Sequence, residues 1–191
     1  KHPERADALD LISSALLSYG EANTRFAQVC GAVMAKGVED TAFYRGSRLV
    51  SLQEVGGAPG RFGVSLAEYH MLQAERIRLW PRAMTALTTH DTKRGEDVRS
   101  RITAITEVPE DFAELCKQIT YVDGMTCHFL LQNIIGVWPS DGVVSEELRT
   151  RVHDYATKAM REAGVHTTWF DVDEDFENSI LNWIDELFDA H

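Results

Sequence analysis

No apolar run in the sequence reaches the roughly 20 residues that a membrane-spanning helix takes. A membrane function is therefore not expected. The opening residues Lys1-His2-Pro3-Glu4-Arg5 lead into an amphipathic segment, not an uninterrupted apolar one, so no signal peptide is read there. Cysteine is scarce: Cys30, Cys116 and Cys127 are odd in number, widely spaced and without a Cys-x-x-Cys pair. That argues against a disulfide framework and for reduced thiols in a cytoplasmic setting. Basic charge is in deficit, with 19 Lys and Arg against 30 Asp and Glu for a net charge of −11. Nucleic-acid binding would need a basic face and is not expected. His and Cys do not fall at zinc-ligand spacing; Cys127-His128 and His153-Asp154 are isolated neighbours with structural roles, so no metal is expected. The Gly-x-Ser-x-Gly elbow is missing too, which leaves a serine-hydrolase triad without support. Internal repeats and low-complexity linkers are also lacking.

What is present suits one soluble core. A chain of 191 residues, 44% hydrophobic, is long enough for one sizeable core and short for two. Helical spacing dominates. Leu9, Ile12, Leu16 and Tyr19 predict an amphipathic helix from about Pro3 to Tyr19, stopped at Gly20. A second helix is expected from Glu21 to about Cys30. Ser65 and Glu68 form a capping-box pattern for a helix that Pro81 ends, with Leu66, Tyr69, Ile77 and Trp80 on one face. Val98, Ile102 and Ile105 form a stripe. Pro109 opens a helix with Phe112, Leu115, Cys116 and Ile119, and Asp123 caps one that is apolar nearly all round, hence buried. Ser145 and Asp173 cap the last two, and Gly164 stops the first of these. Residues 83–89 read as a strand, and Leu49–Leu52 as a short strand-like or irregular piece. The expected class is mainly α, with one or two short strands.

Two stretches carry possible chemistry. Gly31-Ala32-Val33-Met34-Ala35-Lys36-Gly37-Val38-Glu39-Asp40-Thr41-Ala42-Phe43-Tyr44-Arg45 mixes small apolar residues and charges with an aromatic pair. It fails as a phosphate loop, since the order is Lys-Gly and no Ser or Thr follows in place. By itself it reads as a loop and short helix with solvated charges. The second, Thr88-Thr89-His90-Asp91-Thr92-Lys93-Arg94, sets an imidazole beside a carboxylate at a strand end, where active sites often lie. Locally, Asp91 reads equally as a helix N-cap. Lys36, Glu39, Asp40, Tyr44, Arg45, His90, Asp91, Lys93 and Arg94 together are the kind of convergent polar set that a sugar, rich in hydroxyls and uncharged, requires. Trp80, Trp138, Trp169 and Trp183 could stack on sugars, but helix packing accounts for them more simply.

At these residues the sequence resembles a family. Residues 34–45, Leu49-Val50-Ser51-Leu52-Gln53-Glu54-Val55-Gly56-Gly57, residues 89–99, Gly136-Val137-Trp138-Pro139 and His166-Thr167-Thr168-Trp169 are similar to maltooligosyltrehalose synthase, of the α-amylase clan. The likeness runs from about Phe26 to the end of the chain. Gly46-Ser47 stands where the family carries Tyr-Asn.

The resemblance implies a (β/α)8-barrel enzyme with an appended helical domain. Such an enzyme turns the reducing-end α-1,4 linkage of a maltooligosaccharide into an α,α-1,1 linkage by intramolecular transglycosylation, without a cofactor. His90 and Asp91 match the clan's pair at a late strand end: Asp91 would stabilise the transition state and His90 hydrogen-bond a sugar hydroxyl. Lys36, Glu39, Asp40, Tyr44, Arg45, Lys93 and Arg94 would bind substrate or order loops. The clan's nucleophile and acid/base are not found here, and family enzymes are several times longer. The chain is therefore expected to be a C-terminal-half portion. Residues 1–191 would form one helical unit, about 26–120 barrel-associated and about 121–191 the C-terminal helices. Its expected partner is the remainder of the same enzyme, without which it would be inert and would associate with itself through uncovered apolar patches. The rivals are an α-amylase or glucanotransferase of other specificity, and a non-catalytic helical binding domain. Burial of His90 and Asp91 in a helical core would favour the last.

Overall fold

The computed structural model describes residues 3–46, 48–118 and 123–190. Ser47 and Ile119 lie outside the described residues. The described residues are mainly helical, and none of them forms a strand. None of their helices is long and apolar enough to cross a membrane.

The core is built on α7 (Gly124–Val137). Asp123 starts this helix by accepting a hydrogen bond from the Thr126 N–H at 2.8 Å, which satisfies one of the donors that every helix leaves open at its N-terminus. Cys127, Phe129, Leu130, Leu131 and Ile134 are buried on several of its faces, as the near-continuous apolar sequence predicts. Around it pack α5 (Glu96–Ala104), α8 (Glu146–Ala163) and the one-turn α3 (Phe43–Arg45). From α5 come the buried Ile102 and the partly buried Val98. Gly136 lets α5 and α7 approach closely, since a Cβ there would meet Val98 Cγ1 at 2.7 Å. The last helix, α9 (Glu174–Asp189), lays Ile180, Trp183, Ile184 and Phe188 into the same core against α8. Each fully buried side chain of this size contributes about 1.5–3 kcal/mol.

The caps read from the sequence hold. Ser65 accepts from Glu68 N–H at 3.2 Å, Ser145 from Leu148 N–H at 3.2 Å and Asp173 from Phe176 N–H at 2.9 Å. Pro109 opens α6 (Pro109–Cys116). Gly164 ends α8 in the left-handed region, with φ at 56°, where the lack of a Cβ removes the steric cost.

Three local expectations change, and a fourth stretch takes one of its two readings. Residues 83–89 form no strand and are exposed throughout; a strand exists only against a neighbour that takes up its backbone hydrogen bonds, and no described residue supplies one. Residues 31–45 are not a loop with a short helix. α2 (Glu21–Val33) runs on through a π-helical stretch, Met34–Ala42, into α3; a wider turn of this kind often sits at functional sites. Val50–Leu52 is a 3-10 turn. Asp91 does not cap α5, whose N-cap is Gly95; the Glu96 N–H donates instead to Thr88 Oγ1 at 3.2 Å.

α1 (Ala6–Leu17) and α4 (Leu66–Leu79) contribute no residue to the buried core. Leu9, Ile12, Tyr19, Leu66, Tyr69, Ile77 and Trp80, the inward faces expected from spacing, are all exposed.

Candidate functional site

His90 and Asp91 occupy the two central positions of a β-turn. The Thr92 N–H donates to the Thr89 carbonyl at 3.3 Å, and the Thr92 hydroxyl donates to the same oxygen at 2.8 Å. Thr89 Oγ1 in turn accepts from the Asp91 N–H at 3.3 Å. Threonines on both sides thus lock the turn through side-chain-to-backbone bonds, and its two corner side chains face solvent. Both His90 and Asp91 are exposed, so the burial that would favour a non-catalytic core role is not observed.

The turn hangs between two anchors. On the upstream side Thr88 is joined to Glu96 at the start of α5, and Arg99 Nη2 donates to the Leu87 carbonyl. On the downstream side Lys93 and Arg94 both attach to Glu54. Its Oε1 accepts from Lys93 N–H at 2.6 Å, and its Oε2 from Arg94 N–H at 3.0 Å.

Lys93 Nζ extends to Asp40 in the π-helical stretch, and Lys36 Nζ reaches the other oxygen of the same carboxylate at 2.5 Å. Burial pushes the Asp40 carboxyl up, but the hydrogen bonds from Lys36 and Lys93 outweigh it and hold the group below its usual range. The Asp40 bond raises the Lys36 ammonium. Glu39, one position earlier, accepts from the Gly56 N–H at 2.9 Å. Lys36, Asp40 and Lys93 thereby meet at one edge, while Glu39 is bonded to the turn at Gly56.

Tyr44, Arg45 and Arg94 are placed differently. Tyr44 is buried against Phe129, and burial raises its phenol. Arg45 turns to the end of α8, donating to the Ala163 carbonyl at 2.5 Å and the Gly164 carbonyl at 3.3 Å; a cation there complements the negative helix end. Arg94 points inward and is only 7% exposed. Its guanidinium donates to Asn133 Oδ1 at 2.7 Å, the Gln53 carbonyl at 3.0 Å and Tyr155 Oη at 3.3 Å, and lies over the Phe129 ring. A charge buried this deeply persists only when its donors are satisfied. Arg94 is thus the bolt between the loop and the core. Beside it a cavity of about 220 Å³ has mainly apolar walls, including Val98, Leu148 and Val152, which suits an aliphatic side chain better than a sugar.

Among the tryptophans, Trp183 is buried, Trp138 packs on Phe188, and Trp169 lies under the Arg161 guanidinium. Trp80 is exposed.

The residues missed by sequence reasoning are Glu54, Thr89, Thr92 and Gln132. Gln132, buried on α7, accepts from Val50 N–H at 2.8 Å and donates to the Arg48 carbonyl at 2.9 Å. A buried glutamine on an apolar helix was the available signal, since it must find partners.

Fold and site together define a mainly helical segment carrying one anchored, solvent-facing polar turn. No family model matches the chain. A protein of Mycobacterium tuberculosis (strain H37Rv) named as a maltooligosyl trehalose synthase is 51% identical over 98% of the chain, which covers 25% of that protein. The solved maltooligosyltrehalose synthase from Arthrobacter ramosus is 43% identical with a TM-score of 0.83, over 94% of this chain and 24% of that one. The structure titled Sulfolobus tokodaii hypothetical maltooligosyl trehalose synthase is 33% identical with a TM-score of 0.79, over 87% and 24%. By sequence and by structure the chain is similar to one part of these maltooligosyl trehalose synthases, and it spans about a quarter of their length.

Proposed function

We propose that the chain works as part of an intramolecular transglycosylase of trehalose biosynthesis. The reaction moves the reducing-end α-1,4 linkage of a maltooligosaccharide to α,α-1,1. In this reading residues 26–120 hold the barrel-associated motifs and residues 121–191 the C-terminal helices. Asp91 is the transition-state stabiliser: an ionised carboxylate beside the developing positive charge lowers the barrier electrostatically. His90 binds a sugar hydroxyl, and hydrogen bonds of that kind strengthen as the ring flattens. Lys36, Glu39, Asp40 and Lys93 form the substrate-facing edge, while Tyr44, Arg45 and Arg94 hold the scaffold behind it. The carrying observation is the turn that displays His90 and Asp91 to solvent while its neighbours are bonded down on both sides.

Retaining chemistry needs two carboxylates about 5 Å apart across the scissile bond. The remainder of the same enzyme supplies them, and the 191 residues alone are inert. The isolated chain also associates with itself through the exposed faces of α1 and α4; a monomeric sedimentation profile at high concentration would refute this.

Incubation with maltopentaose tests the reaction. The full-length protein that carries these residues gives a product without a reducing end, and the isolated chain gives none. Reducing products from the full-length protein would assign an amylase or glucanotransferase activity instead. In that protein Asp91→Asn lowers kcat by about 100-fold or more with KM little changed. Equal changes in both constants would remove Asp91 from the transition state.

A further inference from the structure

We propose that Glu54 is a positioning residue that sets where the His90–Asp91 turn stands. Its relevance to catalysis rests on the role given to Asp91 above. The Glu54 carboxylate accepts from two consecutive backbone N–H groups, those of Lys93 and Arg94, at 2.6 and 3.0 Å, and from its neighbour Val55 N–H at 2.9 Å. Consecutive N–H groups aimed at one anion make a backbone nest, and bonds to an ionised acceptor are about twice as strong as neutral ones. Lys93 and Arg94 are the second and third residues after Asp91, so fixing their amides leaves the turn few free torsions.

The anchor is itself held by hydrogen bonds on both sides. The Gln53 carbonyl accepts from the buried Arg94 guanidinium. The Glu54 carbonyl accepts from Gly57 N–H at 2.6 Å, and Glu39 takes the Gly56 N–H at 2.9 Å. The backbone here admits no Cβ at position 57, where one would lie 2.6 Å from the Leu52 and Glu54 carbonyl oxygens. Gly56 has φ at 71°, the region that glycine enters without strain. A charge-bearing side chain in a rigid turn, joined across 39 residues to the loop with the candidate carboxylate, does more than satisfy itself.

Glutamine has the same shape but presents one amide NH2 where the nest offers only donors. In the full-length protein, Glu54→Gln is expected to lower kcat by about 10-fold or more while KM stays within about twofold, because a small misplacement of a reacting group is costly. Glu54→Asp, which keeps the charge on a shorter stem, should recover part of the loss. In an Asp91→Asn background Glu54→Gln should have little further effect. An undiminished Glu54→Gln effect in that background would reduce Glu54 to a general structural residue and overturn the proposal. Amide hydrogen exchange separates this test from the role of Asp91. Glu54→Gln should speed exchange at Lys93 and Arg94 by about 10-fold or more, with α7 protection unchanged. Unchanged protection at those two amides overturns the proposal whatever the activity does.

Discussion

Lys93 and Asp40 form an ion pair across 53 residues, tying the turn-bearing loop to the π-helical stretch. Lys36 shares the same carboxylate. Asp40→Asn should destabilise the fold by about 1–2 kcal/mol, since the Lys93 side chain is well covered and the Lys36 side chain is not. The Asp40 carboxyl sits below its ordinary value of 3.8, so its contribution is complete above that pH and is lost as pH falls through the lower folded value. Urea midpoints at pH 7 and pH 3 check this: the gap between wild type and Asp40→Asn should narrow in acid.

Arg161 grips Glu177 with two bonds, Nε to Oε1 at 2.8 Å and Nη2 to Oε2 at 2.7 Å, while Thr167 Oγ1 donates to Oε1 at 2.6 Å. The Arg161 bond is the largest influence on Glu177 and holds its carboxyl below the usual range despite burial. Arg161→Met should lower stability, though by less than breaking a fully buried pair, because Arg161 is partly exposed. Stability from Glu177 is present above its ordinary value of 4.5 and is lost as pH falls below it. Thermal melts of wild type between pH 6 and pH 3 should drop more steeply than those of Arg161→Met.

Gly136 decides the α5–α7 spacing. Alanine gains about 1 kcal/mol in helix propensity over glycine, yet its Cβ would sit 2.7 Å from Val98 Cγ1 and 3.1 Å from Ile102 Cγ1. Overpacking of that kind costs about 1–3 kcal/mol. Gly136→Ala should be net destabilising by up to about 2 kcal/mol, and Val98→Ala in the same chain should restore part of the loss. Chemical denaturation of the two variants and their double mutant measures the coupling.

The three thiols should differ in reactivity. Cys30 is exposed; Cys127 is buried, and burial, reinforced by Asp123, pushes its thiol up to about 12. The thiolate is the reactive species. Mass spectrometry after brief alkylation at pH 8 should find Cys30 modified and Cys127 intact, with Cys127 reacting only in denaturant.

Helix starts and stops were legible because their chemistry is local. Ser65, Asp123, Ser145 and Asp173 each bond an N–H three residues on, and Gly164 ends a helix where its own conformational freedom is needed. The burial of α7 followed from a sequence that is apolar nearly all round. The exposed faces of α1 and α4 did not, because periodicity says which side is apolar and not what covers it. Of the polar set, Lys36, Asp40 and Lys93 share one cluster, whereas Arg94 and Tyr44, equally polar in sequence, turn inward.

Local interactions among near neighbours, in short, were determined by the sequence itself: the helical class, its caps and the His90–Asp91 pair as a candidate. Only the tertiary structure decided that Lys93 reaches both Glu54 and Asp40 and that residues 83–89 form no strand. The physical reason is range. A cap is closed within one turn of the chain, but a nest, an ion pair across 53 residues or a strand depends on a distant partner arriving at hydrogen-bond distance.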